Sequence, residues 1–157
     1  MTTGTGVTVT SGCTASEARG GGPPAAEPRL RRSTALESRE LLARYRATAK
    51  AHPDLADRLR PLRDEVTAHI RELDTEQSSP GSTQRRDRPA PTVPKDEDQA
   101  LAELARQERL VADARTKALV TAPPEVARLL ASLAAAGATH ALLLGEKSPV
   151  DGQGGAG

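Results

Sequence analysis

The chain has 157 residues, with 22 Lys and Arg against 21 Asp and Glu, a formal net charge of +1. That balance offers no basic field of the kind on which nucleic-acid binding depends. With no Phe or Trp and one Tyr, a core must be built from Leu, Val, Ile and Ala, and the single Cys excludes an internal disulfide or a multi-cysteine zinc site.

Residues 1–32 are rich in Thr, Ser, Gly and Pro and are predicted to form a disordered tail. Within them Thr10-Ser11-Gly12-Cys13 resembles a bacterial lipobox, in which the cysteine carries the lipid. A lipoprotein signal also needs a positive start and an apolar stretch of roughly 7–15 residues. Residues 1–10 supply neither. Two readings follow. Either the true start lies upstream and Cys13 is a lipid anchor on the outer face of a membrane, or Cys13 is an incidental thiol and the protein is cytoplasmic.

The first helix is expected from Ser33, with Thr34 as N-cap and Glu37 completing a capping box. Leu41, Leu42, Tyr45, Thr48 and Ala49 give its inner face, and His52-Pro53 ends it, because a residue before proline is pushed out of helical geometry. Asp54 can cap the second helix. There Leu55, Leu59, Leu62, Val66, His69 and Leu73 repeat with the spacing of a bundle seam. Pro61 predicts a kink or short break near Leu59.

Residues 74–95 are polar, proline-rich and aperiodic, and read as a linker. Arg85, Arg86 and Arg88 cluster there, but Asp87 breaks the run and no aromatic is present for base stacking. At about 3.3 Å per residue such a linker can outreach a helix of roughly 30 Å. It can therefore cross the bundle end to end and leave the second and third helices parallel, the one-crossover order. An up-down-up-down bundle with a looped-out linker stays open.

Residues 96–147 hold the strongest pattern. Asp96, Glu97 and Asp98 suit the positive end of a helix dipole, and Leu101, Leu104, Glu108, Val111 and Ala118 share one face of the third helix. Pro123-Pro124 breaks the run and opens the fourth helix. Val126, Leu129, Leu130, Leu133, Gly137, His140 and Leu144 form its stripe, and Gly145 is a natural C-terminal cap. Residues 147–157 are a Gly-rich tail.

Three polar residues fall on these seams: His69, Glu108 and His140. A two-metal bundle draws a Glu from each of two helices and a Glu-x-x-His pair from each of the others. Here Val66 and Gly137 stand where the acids of those pairs belong, while Glu65, four residues before His69, shares that face loosely and can swing toward a metal. No Gly-rich phosphate loop is evident, and Ser132 and His140 have no acid to complete a hydrolase triad. The polar faces of the helices mix acids and bases, unlike helices made for anionic lipid.

Residues 36–146 resemble the ferritin-like DUF4439 domain of actinobacterial proteins, often lipoproteins. The residues that carry the resemblance are His52-Pro53, the run from Pro61 through Glu65 to His69, Glu108-Arg109, Ala122-Pro123-Pro124-Glu125 and Ala138-Thr139-His140. The resemblance implies an exported, lipid-anchored four-helix bundle with no established activity. The expected architecture is an all-α, four-helix ferritin-like bundle over residues 33–146, built of two hairpins joined by a long connection. The expected function is a non-catalytic envelope lipoprotein or interaction module without a cofactor. Its partners would be the membrane, through Cys13, and an unidentified protein or a second copy through the Ala-rich face of the fourth helix, with no nucleic acid. One alternative is a metal-binding protein using His69, Glu108 and His140; another is a cytosolic helical adaptor.

Overall fold

The computed structural model describes residues 26–75 and 90–145. Cys13, the arginines at 85, 86 and 88 and the Gly-rich C-terminus fall outside the described residues. Four helices make an all-α bundle: α1 (Ala26–Ala51), α2 (Ala56–Thr75), α3 (Glu97–Ala118) and α4 (Pro124–Leu144). A 3₁₀ turn, Pro53–Leu55, joins α1 to α2.

The start of α1 corrects the expectation from the sequence. The helix runs from Ala26, through residues assigned to the tail, and Thr34 lies buried inside it. Its hydroxyl donates back to the Leu30 carbonyl at 2.9 Å, so it caps nothing. Pro28 falls in the first turn, where its missing N–H breaks no helical bond, and Glu27 pairs with Arg31 one turn on. Asp54 lies inside the 3₁₀ turn, and α2 is continuous through Pro61, which sits exposed in its second turn. By contrast, His52 leaves helical geometry before Pro53, with φ −127° and ψ 83°, as its sequence demands. The Asp96 carboxylate accepts from the Gln99 N–H at 2.9 Å and caps α3, while Gly145 closes α4 at φ 106°, a conformation an L side chain strains to adopt.

Cross-helix contacts fix the directions. On α1 and α3, Tyr45 meets Glu108 and Ser38 meets Arg115, so these helices are antiparallel. His52, at the upper end of α1, bonds the Pro94 carbonyl at 2.8 Å just before α3 begins. α2 descends from that same end, since Arg39 in mid-α1 pairs with Asp74 near the foot of α2. Hence α2 and α3 run the same way, and the intervening chain must return from the lower end to the upper one. Its last part, Pro91 to Pro94, lies beside Arg44 and Thr48 of α1 and Ala100, Glu103 and Gln107 of α3. α4 climbs back, and its Leu143 carbonyl receives the Arg58 guanidinium of α2 at 3.0 Å. A cation there complements the negative end of the α4 dipole.

The core is divided. The upper cluster joins Leu41, Leu42, Tyr45, Leu55, Leu59, Leu62, Val66, Leu101, Leu104 and Leu144, and the lower one is a small group of Ala35, Leu73 and Leu133. Between them lie the buried polar side chains of Ser38, Glu108, Arg115 and His140. α4 is long and apolar enough by length and composition to cross a membrane. In the bundle its stripe from Val126 to Leu144 is buried against the other helices.

Candidate functional site

The polar belt is centred on His140, 2% exposed, on α4. Its Nδ1 lies 2.9 Å from Glu108 Oε1 on α3, and its Nε2 lies 3.0 Å from Glu65 Oε2 on α2. The Tyr45 hydroxyl of α1 donates to the same Glu108 Oε1 at 2.6 Å. Each helix therefore gives one side chain to a single connected chain. His69, one turn beyond Glu65, approaches Glu65 Oε1 with its Nε2 at 3.8 Å.

Of the three seam residues read from sequence, Glu108 and His140 are thus in direct contact, while His69 reaches them only through Glu65. Glu65 links His69 to His140, and the Tyr45 hydroxyl holds Glu108 on the other side of the ring. Glu65, which the sequence places loosely on the face of His69, meets His140 because α2 is set against α4 at that depth.

Electrostatics follow from burial and partners. Burial opposes a charge on His140, but its hydrogen bonds to Glu108 and Glu65 outweigh that and hold its pKa above the ordinary value. Burial pushes His69 the other way, against Glu65 and with the help of Arg115 and His140. Burial, followed by the Glu108 charge, raises Tyr45 so far that the phenol stays protonated and serves as a donor. A group whose folded pKa is raised stabilises the fold below its unfolded pKa and loses that contribution as pH rises through the folded value. In the presence of a chelator, stability should therefore fall as pH climbs above about 6.5, the unfolded histidine value, through the His140 transition. His69, with its lowered pKa, acts in the opposite window and destabilises as pH drops below about 6.5. Urea unfolding from acid to mildly alkaline pH checks both; in His140→Gln the loss on the alkaline side should vanish.

Below His140 lies Arg115, 4% exposed. Its Nη2 donates to Ser38 Oγ at 2.7 Å, while its Nε is buried without a hydrogen-bond partner among the described residues, 3.9 Å from Glu37 Oε2. Burial lowers its pKa, against the charges of Glu37 and Glu108. Removing it should be tolerated, because Ser38 keeps its own bond to the Thr34 carbonyl and Glu37 is open to water. Arg115→Met is expected to change unfolding free energy by less than about 1 kcal/mol, or to raise it, in urea titrations.

The two-metal centre of ferritin-like bundles does not fit these residues. α1 presents Tyr45 in place of a carboxylate. On α4 a Cβ at Gly137 would meet Glu108 Oε2 and Ala112 Cβ, both at 3.3 Å, so any side chain there requires these neighbours to give way. Among the described residues, no three His, Cys, Asp or Glu side chains stand as a ready-made ligand set. A cavity of about 400 Å³ opens elsewhere, at the lower end among Glu27, Arg31, Glu72, Glu125 and Arg128.

No protein-family model, curated protein or solved structure matches the chain.

Proposed function

We propose that the chain is a non-catalytic helical scaffold of the cell envelope, ferritin-like in topology, related to the DUF4439 domains it resembles and anchored through Cys13. The observation that carries the scaffold reading is the closure of His140: both ring nitrogens face carboxylates of the protein's own helices. A buried polar chain of this kind fixes which helices pair and at what depth, since any slip leaves charged groups unpaired in the interior. The parallel course of α2 and α3 supports the ferritin-like comparison, because a single long crossover is the connectivity of those bundles.

The test of the envelope reading is metabolic labelling with an alkyne palmitate in a bacterial host, expressing the gene together with its upstream sequence. Label on a membrane-fraction protein, absent in Cys13→Ser, is the expected result. An unlabelled protein in the soluble fraction would sink the envelope reading in favour of a cytosolic adaptor.

A further inference from the structure

We propose that Glu65 is a proton-controlled latch between the two helical hairpins. While His140 carries a hydrogen on both ring nitrogens, it holds the Glu65 carboxylate of α2 against α4. When Nε2 gives up its hydrogen, Glu65 turns to water and α2 is released from α4 at that depth. This goes beyond a scaffold, since it gives the belt two states, and it depends on neither the anchor at Cys13 nor the family comparison.

The contacts themselves place two hydrogens on the ring. A neutral imidazole carries one N–H, and an ionised carboxylate only accepts. Glu108 Oε1 stands 2.9 Å from Nδ1, and Glu65 Oε2 stands 3.0 Å from Nε2, both hydrogen-bond distances. The two bonds exist together when each nitrogen donates, which makes His140 an imidazolium between two carboxylates.

The two carboxylates differ in freedom. Glu108 is 1% exposed and also accepts from the Tyr45 hydroxyl at 2.6 Å, so it is fixed and keeps the hydrogen on Nδ1. The Glu65 side chain is half exposed. The proton that leaves therefore passes from Nε2 to water, and the bond lost is the one from Nε2 to Glu65. An acceptor then faces an acceptor, and Glu65 relieves this by turning to solvent, where its charge is hydrated. Its other oxygen, 3.8 Å from His69 Nε2, makes a contact inside α2 that does not hold it to α4.

The charged groups around the ring set the direction. Burial opposes the imidazolium, but Glu108 from α3 and Glu65 from α2 outweigh it, so release falls on the alkaline side of about 6.5. From α1 come Tyr45, which donates to Glu108, and Glu37, which lies beside Arg115 of α3. The Arg115 guanidinium is tied to Ser38 on α1. Burial lowers the pKa of His69, against Glu65 and Glu72 on its own helix. His69 is therefore neutral in the window where His140 lets go, and it does not draw Glu65 by charge.

The opening is local. α1 packs chiefly on α2 and α3 chiefly on α4, so the bundle is two hairpins laid together. Arg58 still joins α2 to the Leu143 carbonyl at the upper end, and the upper apolar cluster draws on all four helices.

The experiment is NMR of the full chain, with ¹⁵N shifts of the histidine rings and proton–proton NOEs followed from about pH 6.5 upward through the His140 transition. Expected are an imidazolium on the acid side and a ring protonated on Nδ1 alone on the alkaline side. NOEs from the His140 ring to the Glu65 side chain should vanish with the Nε2 hydrogen, while those within the upper cluster persist. In Glu65→Gln the carboxamide can accept from Nε2 or donate to it, so NOEs between position 65 and His140 should survive the transition. The transition itself should move down by about one pH unit or more, since one of the two carboxylates is gone. A His140 ring with one hydrogen at about pH 6.5 would overturn the latch. So would Glu65 NOEs that outlast the Nε2 hydrogen, or a transition unmoved in Glu65→Gln. Loss of the upper-cluster NOEs along with those of Glu65 would mean general opening, and would overturn it as well.

Discussion

His140→Ala is expected to lower the free energy of unfolding by about 3–5 kcal/mol, measured by urea denaturation in chelator. The side chain is 2% exposed and stands between two carboxylates, one of which, Glu108, is itself 1% exposed. Its removal leaves the Glu108 charge in the interior with the Tyr45 hydroxyl as its remaining partner and opens a cavity beside it. Most of the loss comes from the stranded carboxylate, not from the ring. A combined Tyr45→Phe, Glu108→Leu, His140→Leu chain should therefore lose less than the single variant, since it removes the charge along with its partners. A single variant that costs under about 1 kcal/mol would mean that the belt contributes little to holding the helices together.

Leu59→Ala is expected to cost about 2–5 kcal/mol, the range for a large-to-small change in a packed core. Leu59 is 0% exposed and lies in the upper cluster with Tyr45, Leu62, Leu101 and Leu104, where three helices leave little scope for collapse around a void. The matched control is Leu110→Ala on α3. At 51% exposure that leucine should shift stability by no more than about 0.5 kcal/mol. Equal losses at the two sites would overturn this division between core and surface.

The sequence revealed the architecture where one physical rule acted without competition. The seam of α2 is such a case: apolar residues spaced by three and four can share only one face of a helix, and Leu55, Leu59, Leu62, Val66 and Leu73 are all buried. Asp96 and Gly145 were legible for the same reason, each satisfying a helix end in the usual way. The start of α1 was misread because Thr34 followed by Glu37 satisfies two rules at once. A threonine can cap a helix or bond back to its own turn, and the choice depends on whether helix already precedes it. The Ala26-Glu27-Pro28 stretch was the signal that it does, since an acid and a proline belong in a first turn.

The site was half legible. Glu108 and His140 stood out as polar residues on apolar stripes. Arg115 was missed, though it lies seven residues beyond Glu108 on the same face, because a long basic side chain is normally read as solvent-facing. Glu65 was legible as a neighbour of His69, but its contact with His140, like that of Tyr45 with Glu108, came only from helix pairing. Which carboxylate meets which imidazole depends on the depth at which α2 stands against α4, and no local pattern encodes that depth.

The shared direction of α2 and α3 has a kinetic consequence. Each half of the chain already contains a complete antiparallel helix pair, so the segment at 76–89 joins two units whose docking surfaces are both formed without it. It acts as a tether that sets a local concentration. Cutting the backbone there should leave two fragments able to complement one another, with reassembly turned from a first-order into a second-order process. The stopped-flow rate would then rise in proportion to fragment concentration, while that of the intact chain would not change.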